Sequence, residues 1–304
     1  MKKILFSALA AVCFMFSGSI ANAKTVTKTT DFSDFTAVNA SYDFDISLRS
    51  GGSHRVDYTV DDILQDYVEV YVKNKTLYVS FNKKAMTKEV KKYYKGKDAP
   101  TPVLKVIIYA PYLEEIQLSE NVSLDAAGTV FNFNNFSLIA KDKSKVTNLN
   151  VNSNNKLSVE ATNDADVTVD YTANEVNVKA TKSAVLNIDQ TSKTLNIVAD
   201  GSSTMNMSGD AETINVDNAG KAKLNFVSGT AQRLYTAGKG SSEIDALGYT
   251  LNEAYLVMKD SKISVSPNNI LKLDLKSGAE VQYAGDPALV IVGIEKSTLK
   301  PIKK

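Results

Sequence analysis

The chain has 304 residues, 43% of them hydrophobic, with one cysteine, one histidine, no tryptophan and a formal net charge of +1. That balance argues against a general nucleic-acid or anionic-membrane role. A lone cysteine excludes a disulfide scaffold, so stability has to come from packing.

The first 23 residues, MKKILFSALAAVCFMFSGSIANA, read as a secretory signal peptide. Lys2 and Lys3 form the basic start, Ile4 to Phe16 the apolar run, and Ala21 and Ala23 the small-residue cleavage site. The run is too short to span a bilayer, and no later segment is long enough, so no transmembrane segment is expected. Val12 before Cys13 argues against lipidation of that cysteine. A mature chain starting at Lys24 has a net charge of about −1 and no cysteine. The expected location is the periplasm, the cell surface or the medium.

Residues 24–112 read as an N-terminal β region. Phe44/Ile46/Leu48 and Val68/Val70/Val72 alternate well, with turn signals at Gly51-Gly52 and Asn74-Lys75. His54, after Gly51-Gly52-Ser53, is expected to be exposed in a loop. Residues 83–99, KKAMTKEVKKYYKGKDA, carry Lys83, Lys84, Lys88, Lys91, Lys92, Lys95 and Lys97 around Tyr93-Tyr94 without a strand pattern. They read as an inserted loop or short helix.

Residues 113–287 repeat. In LNIVADGSSTMNM, residues 195–207, Leu195, Ile197 and Ala199 point one way, Asp200-Gly201-Ser202 bend the chain, and Ser203, Met205 and Met207 resume the beat. The same pattern starts at Leu157, Val176, Ile214, Leu234 and Leu271, with weaker copies near Ile116, Phe136 and Ala254. The period stays near twenty residues with two short strands per unit. Leucine-rich repeats and propeller blades do not fit that length and composition. The fold class is therefore all-β: a right-handed parallel β-helix of about nine coils, each strand stacking on its counterpart about 4.8 Å away. The N-terminal β region caps one end, because an open solenoid end exposes unpaired strand edges. Residues 288–304 read as a C-terminal strand or tail.

The pieces DFSDFTAV, KTLYVSF and VIIYAPYLEEIQLSENVSL, the repeated corners and the closing V-x-Y-x-G-D-P at Val281, Tyr283, Gly285, Asp286 and Pro287 resemble the secreted "putative adhesin, head GIN domain" family of Bacteroides-type bacteria. The resemblance spans roughly residues 31 to 290. It implies a right-handed β-helix-like fold and a role at the cell surface, and it brings no catalytic residues.

Chemical constellations are sparse. One histidine and no mature cysteine weaken the Ser-His-Asp, Cys-His and His-rich zinc routes, and no nucleotide motif is present. Asp164, Asp166, Asp200 and Asp260 are scattered and form neither an evident carboxylate pair nor a calcium-ligand spacing. Neither a metal nor a cofactor is expected. Two outward rows are regular: Asn177, Asn196 and Asn215, and Asn187, Asn206 and Asn225. Stacked in register they would form amide ladders, either bracing the rod or offering a polar face to glycan hydroxyls. Lys91, Lys92, Tyr93, Tyr94, Lys95 and Lys97 form the candidate partner site. It is either a solvated insertion or a grip on an acidic polysaccharide or surface protein. The resulting expectation is an exported, non-enzymatic adhesin-like module binding a glycan or protein. The alternatives are a structural envelope module and, third, a polysaccharide-cleaving β-helix enzyme.

Overall fold

A computed structural model of the chain describes residues 24–302. The signal-peptide reading falls on residues 1–23 and lies outside them. The N-terminal strands are β1 (Thr25–Asp31), β2 (Ala37–Ala40), β3 (Asp45–Ser50), β4 (Arg55–Asp61), β5 (Val68–Lys73) and β6 (Thr76–Phe81), with a 3-10 turn at Asp62–Tyr67. A short helix α1 (Lys88–Tyr93) precedes β7 (Leu104–Ala110), β8 (Glu115–Leu118) and β9 (Ser123–Asp125). Long strands follow: β10 (Val130–Ala140), β11 (Lys145–Ala161), β12 (Asp166–Ala180), β13 (Val185–Ala199), β14 (Thr204–Asn218), β15 (Lys223–Lys239), β16 (Glu243–Lys259) and β17 (Lys262–Lys276). The chain closes with β18 (Glu280–Tyr283), β19 (Ala288–Ile294) and β20 (Thr298–Pro301).

All twenty strands join one sheet, wound into a parallel β-solenoid of about ten turns. From β10 to β17 each strand pairs in parallel with the next, in register across most of its length. Val176, Leu195 and Ile214 stack in one inward column, and Leu186, Met205 and Leu224 in another. All six are fully buried. The alternation read from the sequence thus becomes a continuous core from Phe35 to Val281. The copy placed near Ile116 is corrected by two residues, because Ile116 stacks on Leu138 rather than on Phe136. A longer corner between those coils absorbs the difference. Each sharp corner carries a left-handed residue: Asp142, Asn163, Lys182, Gly201, Gly220, Gly240 and Asp260 form this column. Most are glycine, asparagine or aspartate, the residues that adopt this conformation at least cost.

The N-terminal region continues the solenoid rather than merely covering it. β2 and β3 pair in parallel with β8 and β9, so they form a rung directly beneath the first repeat. On their other side β2 pairs with β6 and β3 with β7, giving a further split rung. The 82–103 insertion therefore occupies a corner of that rung, where lengthening the chain breaks no strand pairing. β5 covers β6 and β4 covers β7, both antiparallel, and β1 pairs with β4. Leu64 of the 3-10 turn is buried in the core at this end. His54 is not the exposed loop residue expected. Its ring packs edge-on against Phe35, centroids 4.6 Å apart, and its side chain is 10% exposed. At the far end, β19 stacks on β17 and β20 on β18, so residues 288–301 add one more rung. No helix among the described residues is long and apolar enough to cross a membrane.

The wide bend opposite the sharp corners contains the tightest packing. Tyr249 is 2% exposed, and its hydroxyl donates to the Gly209 carbonyl at 2.6 Å, two coils away. Its ring passes over Gly229, where an added Cβ would lie 2.9 Å from Tyr249 Cζ and 1.9 Å from Gly209 O. Gly229 also has φ +146°, so any side chain there is strained and collides with backbone. Gly229→Ala should cost about 3 kcal/mol in chemical denaturation, the scale of overpacking with no room to relax. Gly52→Ala, with nothing within 4 Å of its added Cβ, should change stability by less than about 0.5 kcal/mol. Equal effects would refute the crowding at the bend.

On the outer surface, Asp170 lies in register with Asp189 on the next coil. Burial, and then the Asp189 charge, raise the Asp170 carboxyl above its ordinary value. The folded state therefore favours protonated Asp170. Its destabilising charge is absent below the ordinary carboxylate range and appears as pH rises through the raised value. Asp170→Asn should stabilise the fold near pH 7 by a few tenths of a kcal/mol, the size of a screened exposed pair. The gain should vanish near pH 3, and thermal melts of both proteins at both pH values check the sign.

Candidate functional site

Two surfaces outside the core have enough structure to bind a partner. The first is the 82–103 lobe. Thr87 caps α1 by accepting from the Val90 N–H at 3.3 Å. Met86 just before the helix, Val90 within it and Tyr94 at its end all pack against the core. Tyr94 is the tether: its hydroxyl donates to Asp61 Oδ2 at 2.7 Å, and the Val103 N–H donates to the same oxygen at 3.1 Å. Burial, and then the bond to Asp61, raise the Tyr94 hydroxyl well above the usual tyrosine value. Tyr94 thus faces inward. Lys91, Lys92, Tyr93, Lys95 and Lys97 are exposed, together with Lys83, Lys84 and Lys88. The lobe is a folded platform with its cations directed to solvent.

The second surface is lateral, where the two solenoid faces that meet at the sharp corners carry one amide row each. Asn196 Nδ2 donates to Asn177 Oδ1 at 2.9 Å, and Asn215 Nδ2 to Asn196 Oδ1 at 2.8 Å. The row beyond the sharp corner repeats this, Asn206 to Asn187 and Asn225 to Asn206, both at 2.8 Å. In this first ladder the Asn196 and Asn215 nitrogens point to the preceding coil, and the Asn177 and Asn196 oxygens to the next. Asn177 donates to Glu175 on its own strand at 3.0 Å, and Asn215 is the last asparagine of the run.

On the following coil the residue in register with Asn215 is Tyr235, and after it Tyr255. The two rings stack at 4.8 Å with an 18° tilt, and Tyr255 is fixed by donating to Glu253 at 2.7 Å. Where the short asparagine column meets the tall tyrosine column, the surface has a step. Asn196 and Asn215 line its low side, Tyr235 and Tyr255 its wall, and Val198, Asp217 and Val257 its margin. The depression holds about 430 Å³. Val198, Tyr235 and Val257 are 41%, 38% and 56% exposed, so it offers apolar surface beside amides and a carboxylate. Lys239 holds Asp217 at 3.4 Å. Tyr235 and Tyr255 share the repeat offset of the asparagines, and that shared offset is the signal in the sequence that would have found them.

The remaining candidates are structural in placement. Val281 is fully buried, Tyr283 packs on the core, and Gly285 has φ +90° in the turn that leads through Asp286 and Pro287 into β19. A second depression, over Asn225, Asp245 and Ser264, is flanked by Lys223, Glu243, Lys262 and Glu280. These charges pair with one another, Lys223 with Glu243 at 3.7 Å and Lys262 with Glu280 at 3.3 Å. Among the described residues, no three His, Cys, Asp or Glu side chains are grouped to hold a metal ion.

Comparison with solved structures returns the same architecture. A crystal structure described as a putative adhesin from Parabacteroides distasonis aligns with a TM-score of 0.50 and 18% identity, over 92% of this chain and 98% of that one. A putative adhesin from Parabacteroides merdae aligns at 0.47 and 18%, over 92% and 97%. A protein from Parabacteroides distasonis described as a putative lipid binding protein aligns at 0.48 and 17%, over 92% and 98%. At these identities the first shows the fold, and none carries a ligand across. No curated protein sequence matches the chain. A family model matches over residues 34–191 and again over 178–287, and the chain belongs to the family described as "Putative auto-transporter adhesin, head GIN domain".

Proposed function

We propose that this chain is an exported, non-enzymatic surface-interaction module that binds carbohydrate on the lateral face of its solenoid. The observation that carries this reading is the step at Tyr235. A pyranose presents a C–H face and a rim of hydroxyls. The open side of the Tyr235 ring matches the first, and the Asn215 amide and Asp217 match the second. The rings and amides are held by the coil register, so little ordering entropy is lost on binding. Membership of an adhesin family supports a role at an external surface.

A second reading is favoured by the tethered lobe. Its cations surround Tyr93 on a nearly neutral protein, which suits an acidic polysaccharide or an acidic surface protein. That contact would weaken with salt, because screening acts within about 8 Å at physiological ionic strength. A structural envelope module without a soluble ligand, and a polysaccharide-cleaving enzyme, are the remaining classes.

The test is an array of neutral and acidic glycans and matrix proteins probed with the chain from Lys24 onward, followed by titration of each hit. Tyr235→Ala should weaken a neutral-glycan hit roughly tenfold or more, about 1.4 kcal/mol, while Lys91, Lys92, Lys95 and Lys97 changed together to Ser leave it intact. The opposite pattern, with loss at high salt, would move the site to the lobe. No binding by the folded chain would leave the structural module as the better account, and shortening of a glycan would sink the non-enzymatic reading.

A further inference from the structure

The depression beside Tyr235 continues along the solenoid axis as a groove. Its floor is one column, Val198, Asp217, Ala237 and Val257, in register on four successive coils. Strand alternation puts the residues two positions to either side of each on the same face. On β15 these are Tyr235 and Lys239, and on β16 Tyr255 and Lys259. Two successive coils thus repeat one order: tyrosine, apolar floor, lysine. The groove has an aromatic border and a cationic border, roughly 13 Å apart along the strand at about 3.3 Å per residue. The cationic border is a stack of three lysines in register, Lys239, Lys259 and Lys276, one per coil. Lys239 is held by Asp217 and Lys276 by Asp274, each at 3.4 Å. Lys259, between them, is exposed and has no ion pair among the described residues. Like charges in register on neighbouring strands are destabilising, a cost that an anion at Lys259 would offset.

We propose that the groove takes an acidic polysaccharide whose uronic-acid carboxylate is held by Lys259, an inference that rests on the reading of this face as a glycan site. The glycan runs along the axis. One coil rises about 4.8 Å, close to the length of one pyranose in a chain, so successive sugars meet successive coils. The sugar against the open side of Tyr235 has its hydroxyls at the Asn215 amide and Asp217. The next sugar lies over Ala237 and Val257, the latter 56% exposed, with its C–H face on that apolar floor. The carboxylate at C5 of a hexuronic acid projects from the rim of the ring, where Lys259 meets it with a charge-assisted hydrogen bond. A sugar with a neutral hydroxymethyl group at C5 makes the same apolar contacts without that bond. The carboxylates at the two ends of the floor, Asp217 and Asp274, are offset by Lys239 and Lys276, which leaves the Lys259 charge for the ligand. Lys259 is therefore the specificity residue of the site, and Tyr235 its stacking residue.

Isothermal titration of the chain from Lys24 onward with two probes reads the difference. One is an oligosaccharide of alternating glucose and glucuronic acid; the other is the same oligosaccharide with its carboxyls reduced to primary alcohols. The acidic probe should bind roughly fivefold more tightly or better, and the preference should fall as salt rises. Lys259→Met, which keeps an unbranched apolar stem, should abolish the preference and leave the affinity for the neutral probe unchanged. Without ligand, the same variant should melt no lower than the parent, because it removes one charge from a like-charged stack. Tyr235→Ala should weaken both probes. Lys91, Lys92, Lys95 and Lys97 changed together to Ser should keep the preference. Equal affinity for the two probes, a preference that survives Lys259→Met, or one lost with the lobe lysines would overturn the role of Lys259 and leave the glycan site at Tyr235 standing. Binding of neither probe would remove the glycan reading of this face and this inference with it.

Discussion

Everything in this molecule depends on one constraint: each coil must lie in parallel register on the coil before it, so that every backbone group in the wall finds its partner. Register fixes what stacks on what. Once Leu195 sits between Val176 and Ile214, the side chains on either side of it are ordered as well, inward and outward alternately. The inward columns bury small and aliphatic side chains at roughly 1.5–3 kcal/mol each. The outward columns become one-dimensional arrays whose chemistry can be changed one coil at a time.

That geometry explains where recognition can arise on a wall built of flat columns. A column of identical residues is flat. Relief comes from a change of residue size along a column, as at the junction of Asn215 and Tyr235, or from an insertion at a corner, as between β6 and β7. Both candidate surfaces are of these kinds. The left-handed corners, the amide ladders and the inter-coil ion pairs keep the underlying frame fixed, so either surface can vary without disturbing the wall.

The period and alternation made the solenoid legible, because every inward position in a coil meets the same environment and so takes the same kind of residue. The asparagine rows were legible because the spacing stays at nineteen residues across three coils. Other features leave no local trace. The place of β2 and β3 in the stack is set by partners far along the chain. The room that Gly209 and Gly229 make for Tyr249 links residues up to forty positions apart. His54 follows a glycine-rich turn and reads as loop, yet its burial comes from Phe35, which local sequence does not place beside it. Tyr94 looked like half of an aromatic pair open to solvent. Only the position of Asp61 shows that it faces the other way.

The order of rungs at the N-terminal end does not follow the order of the chain. β2 and β3 precede all their partners in the chain, but they lie between β6/β7 on one side and β8/β9 on the other. When they emerge, neither neighbour exists, and a lone strand pair has nothing to lean on. The solenoid therefore cannot grow coil by coil from its first residue. Once β7 is complete, β2 and β3 gain β6 and β7 on one side, and their other edge stays open until β8 and β9 arrive, so this rung is assembled from the most widely separated parts of the chain.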